Sequence, residues 1–159
     1  MSGQLARRPS VRGCSMDAVL LDTTVASLLH PKKKADALFV KYEDHMRGQV
    51  LALSFQTVAE LWDWAEASGW GETSRQGLDA FIRRFLVIPY DYELAQAWAR
   101  VMEASRRDGR RFEAGDCWIA ATAVHRNIPL LAHDFDFLNR TIPNLQVISY
   151  LESADGKRR

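Results

Sequence analysis

Short apolar runs alternate with helix-like segments along most of this chain, and that alternation limits its possible folds more than any other feature. The apolar runs lie at residues 18–21, 50–53, 86–88, 130–132 and 146–148. Runs this short and this uniformly apolar are typical of strands buried on both faces. Because helical segments separate them, the pattern predicts an α/β fold with a central, mainly parallel sheet covered on both sides.

The segments between the strands have helical spacing of their apolar residues. We expect helices at residues 32–46, 72–85, 92–107 and 116–125, and one more that is capped by Ser54 and ended by Gly69 and Gly71. For that helix, the sequence predicts an apolar stripe made of Phe55, Val58, Ala59, Trp62 and Ala65.

The length of the chain predicts one compact domain. With 159 residues, 47% of them hydrophobic, there is enough chain for one core and too little for two. We expect a disordered leader at residues 1–15, the folded domain at 16–151 and a polar, basic tail at 152–159. No membrane helix is expected, because no apolar run approaches about 20 residues. No secretory signal is expected either, because residues 1–15 contain no continuous apolar core.

Charge and cysteine content narrow the class of protein further. The formal net charge is +1, so RNA binding would depend on a local basic patch. Lys32, Lys33 and Lys34 are one candidate, although a solvated helix start is the interpretation we favour. Two cysteines, Cys14 and Cys117, make neither a disulfide framework nor a zinc motif, which favours a reducing, cytoplasmic setting.

Four acidic residues occupy positions close to the edge of an α/β sheet where ligands usually bind. Asp22 and Asp134 directly follow strands, where the crevice beyond the carboxyl ends binds ligands. Glu60 lies in the helix after the second strand, and Asp116 begins the helix before the fourth. The pattern predicts that these four carboxylates converge at one edge of the sheet.

A cluster of carboxylates indicates a cation-binding site more strongly than a single carboxylate does. Small residues at Ala120 and Ala123 place Asp116 on a helix face packed against the sheet, and burying an ionised acid demands compensation by a cation. Mg²⁺ and Mn²⁺ prefer oxygen ligands, and the four histidines of the chain are not at zinc spacing. Single-residue alternatives stay open: helix caps for Asp22 and Asp116, a surface ion pair for Glu60 and an acidic turn for Asp134 and Asp136.

Four segments together resemble the PIN-domain ribonucleases, particularly the toxins of VapBC-type toxin–antitoxin modules. The segments are Val19 to Thr23, Ala59 to Leu61, Asp116 to Ala123, and Leu131 to Phe137. The resemblance extends over about residues 18–150. The chain departs from the family pattern at Thr24, where Asn is usual, and at Ala132, where Thr or Ser is frequent.

The resemblance implies an α/β/α sandwich and metal-dependent, endonucleolytic cutting of RNA. It assigns Asp22, Glu60 and Asp116 to the acidic metal site, with Asp134 as the fourth acid in preference to the nearby Asp136. It also implies an antitoxin partner, and a homodimer is compatible with it. In this interpretation Mg²⁺ or Mn²⁺ activates a water, and the four acids hold the metal directly or through water.

Two other functions compete with the nuclease. The first is a catalytically weak or inactive PIN-fold module that binds a protein partner through exposed aromatic residues, with Trp62, Trp64 and Trp70 as candidates. Core packing is the alternative for these residues, most of all for Trp62. The second is a haloacid-dehalogenase-like phosphatase, which needs a second Asp two residues after Asp22. Because Thr24 stands there, the phosphatase is disfavoured.

Overall fold

The computed structural model describes residues 17–31 and 36–151. In chain order its elements are β1 (Ala18–Leu21), α1 (Thr23–Leu28), α2 (Ala37–Met46), β2 (Val50–Ser54), α3 (Phe55–Ala67), α4 (Glu72–Ile82), β3 (Leu86–Ile88), α5 (Tyr92–Arg107), α6 (Ala114–Arg126), β4 (Leu130–Leu131), a 3₁₀ helix (Phe135–Phe137) and β5 (Val147–Ile148). The predictions about residues 1–15, 32–34 and 152–159 fall outside the described residues.

The five strands form one parallel sheet in the order β3-β2-β1-β4-β5. β1 is central, with Leu20 opposite Ala52 of β2 and Leu21 opposite Leu131 of β4. Because the chain order and the sheet order differ, β1 and β4 become neighbours although more than 100 residues separate them. The predicted parallel sheet is confirmed.

Alternate residues of β1 point into two separate cores. Leu20 packs with α5 and α6 on one face of the sheet, whereas Val19 and Leu21 pack with α1, α2, α3 and α4 on the other. Side chains of a strand alternate between faces, so a strand that is apolar throughout serves both cores at once. The molecule is therefore a three-layer α/β/α sandwich, as predicted.

The start of α3 was predicted correctly, and its buried face was predicted in part, since Ala65 is buried as expected. The hydroxyl of Ser54 accepts a hydrogen bond from the Thr57 backbone N–H at 3.1 Å and caps the helix. The residues buried in α3 are Thr57, Leu61 and Ala65, while Ala59 of the predicted stripe is exposed. A polar Thr57 is tolerated in the core because its hydroxyl lies 3.4 Å from those of Ser54 and Thr23.

Other differences concern the ends of helices. The short α1, which buries Val25, Ala26 and Leu28, was not predicted because six residues are too few to show a period. α4 ends at Ile82 rather than near residue 85, and α6 begins at Ala114 rather than Asp116. Among the described residues, no helix is both long and apolar enough to cross a membrane.

Candidate active site

Asp22 lies directly after β1 and is almost completely buried. Its side chain is 2% exposed; Oδ1 accepts a hydrogen bond from the Val25 N–H at 2.7 Å, and Oδ2 accepts one from the His133 N–H at 2.9 Å. The helix-cap interpretation is therefore confirmed for one oxygen, while the other connects β1 to the loop after β4. Burial raises the pKa of Asp22 to about 6, and the charges of Asp134 and Glu60 add to that rise.

Glu60 of α3 is held by polar neighbours on both oxygens. Oε2 accepts a short hydrogen bond from the Thr23 hydroxyl, and Oε1 accepts one from Gln56 Nε2 at 3.0 Å. These neutral donors replace the surface ion pair that was the alternative for this residue. A Cβ atom at Gly115 would lie 2.9 Å from Gln56 Nε2 and 3.2 Å from Glu60 Oε1, so a glycine there leaves room for Glu60.

Asp116 lies in the first turn of α6 but does not cap it. The residue that precedes the helix is Glu113, so the cap interpretation of Asp116 is wrong. Ala120 and Ala123 on the same helix are buried, as close packing requires. Burial, together with the charges of Asp134, Asp136 and Glu60, raises the pKa of Asp116 to about 7.

Asp134 follows β4 and combines a turn role with electrostatic contact to the other acids. Its Oδ1 accepts a hydrogen bond from the Asp136 N–H at 2.9 Å, which agrees with the acidic-turn interpretation. Its charge raises the pKa of both Asp22 and Asp116, whereas Asp136 acts on Asp116. Of the two candidates for the fourth acid, Asp134 is the one whose charge acts on both Asp22 and Asp116.

The donor set suits a hard divalent cation, although a complete ligand cage is not formed. Within residues 17–31 and 36–151, no three acidic, histidine or cysteine side chains are arranged as a ready-made metal site. Mg²⁺ usually binds proteins through one or two carboxylates and keeps several waters, so an all-protein cage is not required. The buried acids with raised pKa values are the groups whose ionised form a cation would stabilise.

Comparison with known proteins identifies the family. The family model for the PIN domain matches residues 19–142. The chain belongs to the PIN domain family. Over 109 residues it is 31% identical to Ribonuclease VapC4 of Mycobacterium tuberculosis, covering 67% of this chain and 82% of VapC4. A shorter stretch of 50 residues is 40% identical to Ribonuclease VapC5 of the same organism, spanning 31% of this chain and only 37% of VapC5.

Solved structures share the fold of this PIN domain. The structure of VapBC2 from Rickettsia felis, bound to a promoter DNA fragment, superposes with a TM-score of 0.69 at 22% identity, covering 83% of this chain and 98% of that one. VapBC-5 from Mycobacterium tuberculosis, described as a member of the VapBC family of toxin–antitoxin systems, gives a TM-score of 0.61 at 26% identity over 84% and 98% of the two chains.

Several side chains that support the acids of this PIN domain were missed by sequence reasoning. Thr23 and Gln56 bond to Glu60, and Gly115 makes space for it. Thr23 had a signal, since it follows Asp22 in the family-like segment. Gln56 also had one, since it lies four residues before Glu60 on the same helix. Gly115 had none, because its role depends on how closely α3 approaches α6.

The histidines and cysteine near the site do not act as zinc ligands or nucleophiles. His133, predicted as a turn residue, lies in the loop after β4 and bonds to the Tyr42 hydroxyl at 2.8 Å through Nδ1. Burial lowers its pKa, and the charge of Lys41 lowers it further. Burial also raises the pKa of the Cys117 thiol to about 12, which leaves it protonated and unreactive.

The three tryptophans considered for partner binding lie in different environments. Trp62 is partly buried, with the Arg75 guanidinium 5.6 Å from its ring centroid. Trp64 is 49% exposed, and its ring centroid lies 4.9 Å from that of the partly buried Trp70. Trp62 and Trp70 both pack against the core, so the exposed aromatic surface is contributed mainly by Trp64.

Proposed function

We propose that this PIN domain is a metal-dependent endoribonuclease that hydrolyses RNA and acts as the toxin of a toxin–antitoxin pair. The observation that carries the proposal is that the same two acids act on both of the others: Asp134 and Glu60 each raise the pKa of Asp22 and of Asp116. Asp22 and Asp116 therefore share the same charged neighbours. The ribonuclease names of VapC4 and VapC5 are consistent with RNA as the substrate.

Asp22, Asp116, Asp134 and Glu60 would hold Mg²⁺ or Mn²⁺. When bound, the metal lowers the pKa of a water molecule and offsets negative charge on the phosphate. Asp22 is pre-oriented for this task by the Val25 and His133 N–H groups. The two hydrogen bonds to its oxygens favour its charged form and oppose the effect of burial.

Glu60 is the residue best suited to handle the attacking water. The Thr23 hydroxyl and the Gln56 amide fix its carboxylate in one orientation. From there it would hold a water molecule or accept its proton, a role that typically contributes about 10²–10⁴-fold to a rate. Asp136, exposed and bonded to Asp116, would have a supporting role.

A protein partner is proposed from the similarity of this chain to VapBC proteins. VapBC-5 is described as a toxin–antitoxin system, and an antitoxin is the corresponding partner for this chain, in the cytoplasm where RNA is available. A homodimer is compatible with this arrangement. The second candidate function, a catalytically weak protein-binding module, is favoured by the exposed Trp64.

The test compares RNA cleavage by the wild type and by three single variants, with Mg²⁺, Mn²⁺ or EDTA. Asp116→Asn should reduce cleavage by about 100-fold or more, because charge is removed from the site at nearly constant shape. Asp134→Asn should be more damaging than Asp136→Asn, because the charge of Asp134 acts on both Asp22 and Asp116. Sequencing of RNA ends after induced expression, with Asp116→Asn as the control, identifies the sites cut.

Cleavage that persists in EDTA or in Asp116→Asn would contradict the metal-dependent mechanism. If the wild type binds a partner but cuts no RNA under any metal condition, the protein-binding module is the correct function. Greater loss in Asp136→Asn than in Asp134→Asn would reverse the assignment of the fourth acid.

A further inference from the structure

Tyr42 is fully buried in the middle of α2, at a distance in sequence from every acid of the site. Its side chain is 0% exposed, and its hydroxyl lies between the end of β4 and the segment that follows β5. There it contacts three groups: the Ala132 carbonyl at 2.9 Å, the His133 Nδ1 at 2.8 Å and the Tyr150 backbone N–H at 3.0 Å.

The proton and the lone pairs of the Tyr42 hydroxyl determine the direction of its three hydrogen bonds. The hydroxyl has one proton, which it donates to the Ala132 carbonyl, and two lone pairs. The Tyr150 N–H donates to one lone pair. The His133 ring contacts the other lone pair of the Tyr42 oxygen, so its Nδ1 must carry a proton and donate it to that oxygen. The phenol oxygen is then saturated, and both the orientation and the tautomer of the His133 ring are determined.

The residues held by Tyr42 are the ones that connect two of the acids. The His133 backbone N–H donates to Asp22 Oδ2 at 2.9 Å, and Asp134 is the next residue in the chain. Tyr42 therefore donates to the carbonyl oxygen of the same peptide group whose N–H orients Asp22, and it also contacts the ring of His133. A shift of this segment would move Asp134 and release one oxygen of Asp22 together.

We propose that Tyr42 is a positioning residue for the metal site, holding residues 132–134 so that Asp22 and Asp134 face the same cation. This inference rests on the proposed metal-dependent function. Groups that orient metal-binding side chains without touching the metal typically contribute 10–100-fold to metal affinity or activity. Loss of the hydroxyl should therefore weaken metal binding by about tenfold or more, and saturating metal should restore much of the lost activity.

The experiment measures Mn²⁺ binding to the full chain by electron paramagnetic resonance, alongside RNA cleavage as a function of Mn²⁺ concentration. The test variant is Tyr42→Phe, which removes only the hydroxyl. The matched control is Tyr150→Phe, because the Tyr150 hydroxyl contacts His45 Nε2 at 2.5 Å and its backbone N–H is unaffected. The expected result is weaker Mn²⁺ binding in Tyr42→Phe and unchanged binding in Tyr150→Phe.

A second variant, His133→Ala, provides a test of the same inference if Tyr42→Phe does not fold. His133→Ala removes the ring contact but keeps the backbone N–H that binds Asp22, so it should also weaken Mn²⁺ binding. Equal Mn²⁺ affinity in the wild type and in the folded variants, even with a lower melting temperature, would overturn the inference and leave Tyr42 with a purely structural role. A wild type that binds no Mn²⁺ would overturn it as well.

The outcomes also separate this inference from the nuclease proposal. Normal metal-dependent cleavage with unchanged Mn²⁺ affinity in Tyr42→Phe refutes the inference alone. Weaker Mn²⁺ binding in Tyr42→Phe, in a protein that cuts no RNA, supports the inference and refutes the nuclease proposal.

Discussion

At the scale of single residues, Gly115 shows how the site depends on the absence of a side chain. Glycine is unfavourable inside a helix, where it costs up to about 1 kcal/mol relative to alanine. Gly115 nevertheless lies in the first turn of α6, directly before Asp116. The reason is spatial, since the Gln56 amide and the Glu60 carboxylate occupy the volume that a Cβ atom would take.

Gly115→Ala should lower RNA cleavage without lowering stability. The new methyl group displaces the flexible ends of Gln56 and Glu60, which moves the carboxylate, while alanine favours the helix. The matched control is Gly77→Ala, because Gly77 lies within α4 with nothing within 4 Å of the added Cβ. Thermal melting and cleavage rates check both variants. Equal cleavage in the two would show that the position of Glu60 is not critical.

At the scale of elements, the 3₁₀ helix after Asp134 depends on Arg140. The Arg140 side chain is 3% exposed. Its Nε donates to the Asp136 carbonyl at 2.7 Å, and its Nη1 lies 3.1 Å from Asp108 Oδ2. Its guanidinium lies 3.8 Å from the centroid of the Phe112 ring. Arg110 adds hydrogen bonds to the carbonyls of Phe135 and Leu138. Two guanidinium groups thus satisfy the backbone of a short element that could not be stable alone.

Arg140→Met should lower the melting temperature by several degrees and reduce cleavage. It removes charge-assisted hydrogen bonds to the backbone of the 3₁₀ helix and leaves Asp108 without its cation. Arg83→Met is the control, because the Arg83–Asp79 pair is exposed, and such pairs contribute only about 0–1 kcal/mol. Calorimetry on both variants provides the measurement. Similar melting temperatures would show that packing alone holds the 3₁₀ helix.

At the scale of the whole molecule, the acids couple the stability of the fold to pH and metal. Burial, with added repulsion between the carboxylates, raises the pKa of Asp22 from 3.8 to about 6 and that of Asp116 from 3.8 to about 7. Between about pH 4 and pH 7 these two carboxyls therefore bind more protons in the folded state than in the unfolded state. Their contribution makes the free energy of unfolding fall as the pH rises through this window.

In metal-free buffer, the wild type should melt at a higher temperature at pH 5 than at pH 8. Asp116→Asn removes one of the shifted groups, so its melting temperature should depend less on pH and should equal or exceed that of the apo wild type near neutral pH. Mg²⁺ or Mn²⁺ should raise the melting temperature of the wild type more than that of the variant, since a ligand of the folded state stabilises it. Strong destabilisation by Asp116→Asn would instead assign Asp116 a structural role.

Local sequence patterns were sufficient to predict the class of fold and most of its elements. Strands buried on both faces must be apolar throughout, so β1 and β2 could be read from local composition. β3 is equally apolar, but it lies at the edge of the sheet with Leu86 and Val87 exposed. α5 was predicted at its observed ends, Tyr92 and Arg107, because Asp108 and Gly109 signal a stop; the cap by Asp91 was found only in the structure. The acids that follow strand ends could be named as candidates for the site, because parallel strands bring their carboxyl ends to one edge of the sheet.

Only the tertiary structure decided how those acids are held. The buried face of α3 depends on hydrogen bonds that make Thr57 acceptable in the core, and polarity alone places that residue on the surface. The proximity of Gly115 to Glu60, and of Tyr42 to His133, depends on helix packing between residues distant in sequence. Local patterns report which side chains tend to be buried, whereas hydrogen-bond partners and pKa shifts follow from distances that exist only after the layers have packed.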